Sequence, residues 1–123
     1  MDLQEIMSQQ TFAVVGDTVN PEKYAAKIKT GLLSQGYTVH AVGKELASLN
    51  DLPGPVDIID LCIRPDRGLA LLQENRTPCK CVVLQPGADS PEIMDWLEAH
   101  HQPYIQGCLL VGMQRYPRRG QSE

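Results

Sequence analysis

The sequence predicts an α/β fold, an open parallel sheet of about five strands with helices on both faces. Three observations carry this. The apolar runs "TFAVVG", "VDIIDLCI" and "CKCVVLQPG" are continuous, as in strands covered on both sides. Helical stretches of about ten to fifteen residues separate such runs, which is the rhythm of parallel crossover units. A chain of 123 residues with 42% hydrophobic content suits one core, with no repeat and no linker between domains.

The leading "DLQEIMSQ" reads as a short helix within an N-terminal extension, residues 1–10. Thr11 to Gly16 is the first strand, ended by glycine. Pro21 and Glu22 suit the first turn of the next helix, and Tyr24, Ile28 and Leu32 form its apolar stripe, widened by Ala25 and Leu33. Gly36 falls where a helix ends in a left-handed residue. Tyr37 to Gly43 is the second strand, completing a right-handed βαβ unit. After the loop Leu49 to Pro55, Val56 to Ile63 is the third strand and Arg67 to Glu74 a helix. Cys79 to Gly87 is the fourth strand. Ser90 to His101 is a helix with Ser90 as N-cap and Pro91 at its first position, and Pro103 to Gly107 is a short fifth strand. The domain is expected over residues 11–114, with a flexible tail over 115–123 whose three arginines are solvated.

A net charge of −4 and a pI near 5.3 argue against nucleic acid as partner, because phosphate backbones demand concentrated Lys and Arg. No apolar run approaches a membrane span, and the acidic N-terminal stretch is unlike a secretory signal. A cytoplasmic location is therefore expected, with Cys62, Cys79, Cys81 and Cys108 as reduced thiols.

In open α/β sheets, ligands bind beyond the carboxyl ends of the strands. The turn Gly16 to Pro21 lies there. Gly16 allows close backbone approach, and the free N–H groups opening the next helix form an anion site. Yet "GDTVNP" lacks two glycines of G-x-G-x-x-G, so on spacing alone a phosphate turn and a glycine that merely ends a strand are even alternatives. Lys23 and Lys27, four apart, share a helix face that suits either a bound phosphate or open solvent.

The stretch "VVGDTVNPEKYAAKIKTGLLSQGYTVHAV" resembles the CoA-binding domain family, small Rossmann-like proteins related to the nucleotide-binding domain of succinyl-CoA synthetase α subunits. The resemblance continues through "VDIIDLCI", through "VVLQPG" at the family's W-L-Q-x-G, and into "YIQGCL", where members carry a cysteine. It implies that Gly16, Asp17 and Thr18 form a pyrophosphate turn, with Lys23 and Lys27 as basic residues early in the helix. It further implies that Val42, Gly43 and Lys44 face the adenosine part, with Arg64 after the third strand and Gln85 and Gly87 after the fourth. Two positions depart from the pattern. Asp17 replaces the small residue of V-G-A-S, setting a carboxylate beside the pyrophosphate at a cost of about 1 kcal/mol or more. "AVGKEL" lacks the family's proline and displaces Lys44.

No motif for nucleophilic, metal or P-loop chemistry is present, so no catalytic residue and no enzyme activity are expected. His100 and His101 point about a hundred degrees apart and suit a helix end better than a metal. Cys79 and Cys81 lack a second ligand pair and read as core thiols. Cys108 faces the ligand side, where it could exchange with the thiol of CoA, but no neighbour in sequence activates it. Asp57 caps the start of its strand, whereas Asp60 lies in an apolar run and needs partners if buried. The expectation is a non-catalytic module for a small nucleotide ligand, CoA or acyl-CoA first. NAD or another adenine nucleotide comes second, with Glu45 as the acid for ribose hydroxyls. A domain that has lost its ligand and serves in protein interaction or homodimerisation is the third reading.

Overall fold

The computed structural model describes residues 1–118. Five strands form one all-parallel sheet: β1 (Thr11–Gly16), β2 (Thr38–Gly43), β3 (Ile58–Leu61), β4 (Cys81–Leu84) and β5 (Tyr104–Gln106). Their spatial order is β2-β1-β3-β4-β5. The chain therefore reverses its direction of travel between β1 and β3, and the crevice that opens ligand space in such sheets lies above that pair.

Helices cover both faces. On one, α1 (Leu3–Met7), α2 (Tyr24–Ser34) and α5 (Leu109–Arg115) bury Ile6, Ile28, Leu32 and Leu109 against Phe12, Val14, Ile58 and Val83. On the other, α3 (Pro65–Glu74) and α4 (Pro91–Ala99) bury Leu72, Ile93 and Leu97 against Val15, Ile59, Leu61, Val82 and Leu84. Every residue of β3 and β4 is buried, which explains why these strands show no alternation.

Several ends differ from the sequence reading. α2 starts at Tyr24, not at Pro21, because side chains capture the N–H groups of the preceding turn: Asp17 Oδ1 accepts from Val19 and Asn20, and Asn20 Oδ1 from Glu22. The inward stripe of α2 is Ala25, Ile28 and Leu32, so Tyr24 and Leu33, expected within it, stand exposed. Its far end is as expected: Gly36, at φ 90°, lets Gly36 N–H reach the Leu33 carbonyl and Tyr37 N–H the Leu32 carbonyl. Third and fourth strands are shorter than their apolar runs: of the flanking residues only Val56 and Gln85 are buried, and Lys80, Pro86 and Gly87 are exposed.

α5 was not expected. It occupies part of the stretch read as the end of the domain and the start of a flexible tail, and it includes Arg115. Nor is Arg118 simply solvated: its guanidinium lies 3.9 Å from the centre of the Tyr37 ring and donates to Gln10 Oε1 and the Gln9 carbonyl. Residues 119–123 of that tail, Arg119 included, lie outside the described residues. Asp57 fastens the amino ends of the strands, accepting the Gln10 and Thr11 N–H groups and the Thr11 hydroxyl at 2.9–3.1 Å, with Lys80 at 3.3 Å.

Candidate functional site

A cleft of about 450 Å³ opens at the carboxyl ends of β1, β2 and β3, against the N-terminal turns of α2 and α3. Two glycines make its floor. Gly16 and Gly43 are register partners with φ of 150° and 127°. A Cβ on Gly16 would sit 2.7 Å from the Cys62 carbonyl oxygen and 3.0 Å from Ala25 Cβ, and one on Gly43 would sit 2.7 Å from the Gly16 carbonyl oxygen. Backbone thus packs on backbone here, and the cleft descends to the main chain.

Four cations line this cleft. Lys23 precedes α2, Lys44 follows Gly43 in a turn closed by the Gly43 N–H to Leu46 carbonyl bond at 2.6 Å, and Arg64 and Arg67 flank the start of α3. The one carboxylate among the lining residues is Asp17. The N–H of Asn20 above all, then that of Val19 and the charges of Lys44 and Lys23, hold its carboxyl below the usual range, so it is ionised. Those two amides are consequently spent on Asp17. The N–H groups that remain for an anion are those of the first turn of α2, where Lys23 supplies no side-chain cap and bonding begins with Lys27 N–H to the Lys23 carbonyl.

A smaller cavity of about 170 Å³ adjoins, sharing Tyr24, Cys62, Ile63 and Arg64 with the cleft and adding Gln85, Pro86, Gly87 and Ala88. Of the residues singled out in sequence, the structure gathers Gly16, Asp17, Lys23, Gly43, Lys44 and Arg64 around the cleft, and Gln85 and Gly87 around the smaller cavity. Thr18, Lys27 and Val42 line neither. Thr18 is buried under the turn with Oγ1 lacking a partner, Lys27 holds its ammonium 5.8 Å above the Tyr24 ring, and Val42 is a core residue. Tyr24 and Arg67 were missed. Periodicity alone points Tyr24 inward, and the apolar pattern starts the helix at Arg67, although Pro65 signals a start two residues earlier.

Beneath the cleft, Asp60 is completely buried, with Oδ2 accepting the Cys62 thiol at 3.2 Å and Oδ1 unpartnered. Burial pushes its carboxyl up to about 7. Burial, then the adjacent Asp60, push the Cys62 thiol far up, and burial pushes Cys79 up to about 12. Both are poor nucleophiles. Cys108 precedes α5 and caps nothing with its thiol. His100 turns Nδ1 to the Trp96 carbonyl and stacks on the Trp96 ring at 4.1 Å. Glu45, the candidate ribose acid, is held by Lys29 at 2.6 Å and does not line the cleft. Among the described residues, no cluster of three or more metal-ligating side chains occurs, and no helix is long and apolar enough to cross a membrane.

A family model described as a CoA binding domain matches residues 10–114. No curated protein matches the chain. Among solved structures, the cell-free ID.343 protein from Thermus thermophilus is 30% identical, with 94% of this chain and 99% of that one aligned at a TM-score of 0.79. A conserved hypothetical protein from Pyrococcus furiosus is also 30% identical, over 83% of this chain and 97% of its own, at 0.74. A hypothetical protein from Pyrococcus horikoshii shares the fold at 21% identity and a TM-score of 0.85, over 94% and 89% of the two chains.

Proposed function

Because the chain belongs to the CoA binding domain family, we propose that it binds CoA or an acyl-CoA as a non-catalytic module, with the pyrophosphate over the glycine floor of the cleft. The observation that carries this reading is the cluster of Lys23, Lys44, Arg64 and Arg67 around an uncapped helix start at the reversal point of the sheet. Charge-assisted bonds from such groups are the stronger kind of hydrogen bond, and helix N-terminal amides favour anions. The residues fit the ligand: the floor admits backbone-close approach, and the cations outnumber Asp17. Lys27, pictured in sequence as a second phosphate ligand, gives way in this reading to Lys44 and Arg67.

The preference for CoA over NAD rests on Glu45. A nicotinamide dinucleotide site wants a free acid after the second strand, and Glu45 is committed to Lys29. The non-catalytic reading is supported by Cys62, the cysteine that lines the cleft, which is kept protonated by its surroundings.

Calorimetric titration with CoA, acetyl-CoA, NAD and ADP tests the proposal. CoA should bind in the micromolar range, and Lys23→Ala and Arg67→Ala should each weaken it. No heat with any of the four overturns the reading and directs the search to protein partners.

A further inference from the structure

Another cavity, of about 220 Å³, lies at the opposite end of the sheet from the cleft, where the chain enters β4 and β5. Its floor is aliphatic: Ile59, Leu72 and Val82 are all core residues. Trp96 and Cys79 also line it, and burial keeps the Cys79 thiol protonated and therefore neutral.

The segments around this cavity are braced. Asn75 Nδ2 donates to the Thr77 carbonyl at 2.8 Å, and Thr77 N–H donates to Asn75 Oδ1 at 2.9 Å. Asn50, from the loop between β2 and β3, accepts the Arg76 N–H at 2.8 Å and donates to the Glu74 carbonyl at 2.7 Å. At the end of α4, His100 is held on the Trp96 carbonyl and ring, and Gln102 N–H turns back to the Leu97 carbonyl at 2.9 Å. A site fixed in this way loses little freedom when it is filled.

Arg76, by contrast, is held only by its main chain. Among the described residues its guanidinium makes no hydrogen bond or ion pair, and the indole N–H of Trp96 has no acceptor. None of the described residues lining the cavity is acidic, in a chain of net charge −4. Free donors without a competing carboxylate, over an aliphatic floor, suit an anion that carries an apolar body. Size narrows the class: a cavity of about 150 Å³ accommodates a single benzene ring, whereas drug-sized ligands occupy about 300 Å³ or more.

We propose that this cavity binds a small carboxylic acid, one ring or a short branched chain in size, with its apolar body over Ile59, Leu72 and Val82 and its carboxylate on the Arg76 guanidinium. The site is separate from the cleft and does not depend on the CoA reading.

Trp96 is the one tryptophan of the chain, so its fluorescence reports on this cavity. Benzoate titrated into the full chain at fixed ionic strength should change that fluorescence saturably, with a midpoint at about 1 mM or below. Benzyl alcohol, which has the ring without the charge, should bind about tenfold more weakly, and Arg76→Gln should weaken benzoate by about the same factor, the scale of a hydrogen bond to a charged group. Arg76 is exposed, so the variant should match wild type in thermal unfolding and in its calorimetric titration with CoA. Absence of saturation overturns the inference, as does an undiminished benzoate response in Arg76→Gln or an equal response to inorganic phosphate. Displacement of benzoate by CoA would also overturn it, by placing benzoate in the cleft.

Discussion

Asp60→Asn should change how stability depends on pH more than it changes stability itself. In the folded chain the Asp60 carboxyl is pushed by burial up to about 7, from an ordinary 3.8. Across that window the folded state holds a proton that the unfolded state has released, so stability falls as pH rises from 3.8 through about 7 and levels off above. Each pH unit inside the window removes about 1.4 kcal/mol, so between about pH 5 and pH 8 the wild type loses about 3 kcal/mol that an asparagine would keep. The variant has a fixed offset of its own. Its Oδ1 can accept the Cys62 thiol, but its NH₂ takes the place of an oxygen that already lacks a partner. That cost does not vary with pH, so only the difference in slope is informative. Urea unfolding of both proteins at several values between about pH 5 and pH 8 measures it. Parallel curves would refute the reasoning, showing that Asp60 is ionised at no cost or is reached by water.

Asp57→Asn should destabilise at neutral pH by about 2 kcal/mol, the scale of bonds to a charged acceptor, seen as a lower urea midpoint. The Asp57 carboxyl is held down to about 2 despite opposing burial, mainly by the Thr11 and Gln10 amides. Its contribution is therefore lost as pH falls from 3.8 through about 2, and the difference between variant and wild type should shrink in acid. Gly43→Ala should cost about 2 kcal/mol or more, because it combines φ of 127° with a Cβ 2.7 Å from the Gly16 carbonyl oxygen; unchanged thermal stability would contradict the packed floor. Asp17→Asn keeps a side-chain oxygen for the Val19 and Asn20 amides but removes the charge. It should tighten CoA about fivefold by calorimetry, an effect that fades at high salt.

The sheet was legible because its evidence is local. Continuous apolar runs, a glycine at Gly36 and the Ser90-Pro91 pair each announce one element through the conformations these residues prefer. The helix start at Tyr24 was not, since two Asx turns by Asp17 and Asn20 compete with the helix that Pro21 suggests. Glycines and cations along β1, β2 and β3 ends were within reach by resemblance. Arg67 and the Gln85–Leu109 bond were not, because one depends on where α3 begins and the other joins residues 24 apart through a helix absent from the sequence reading. Burial of Asp60 could be posed as a question but not answered, for the missing partner of Oδ1 is a fact about every neighbour at once.

The clasp of Arg118 on Gln10 spans 108 positions of the chain. Such a contact repays its ordering only after the sheet exists to bring both ends together, so it belongs to the end of the folding reaction. Strengthening or weakening it should leave the folding rate almost unchanged and act on the unfolding rate. Replacing Arg118 should therefore shorten the lifetime of the folded molecule more than it slows its formation, as unfolding kinetics would measure.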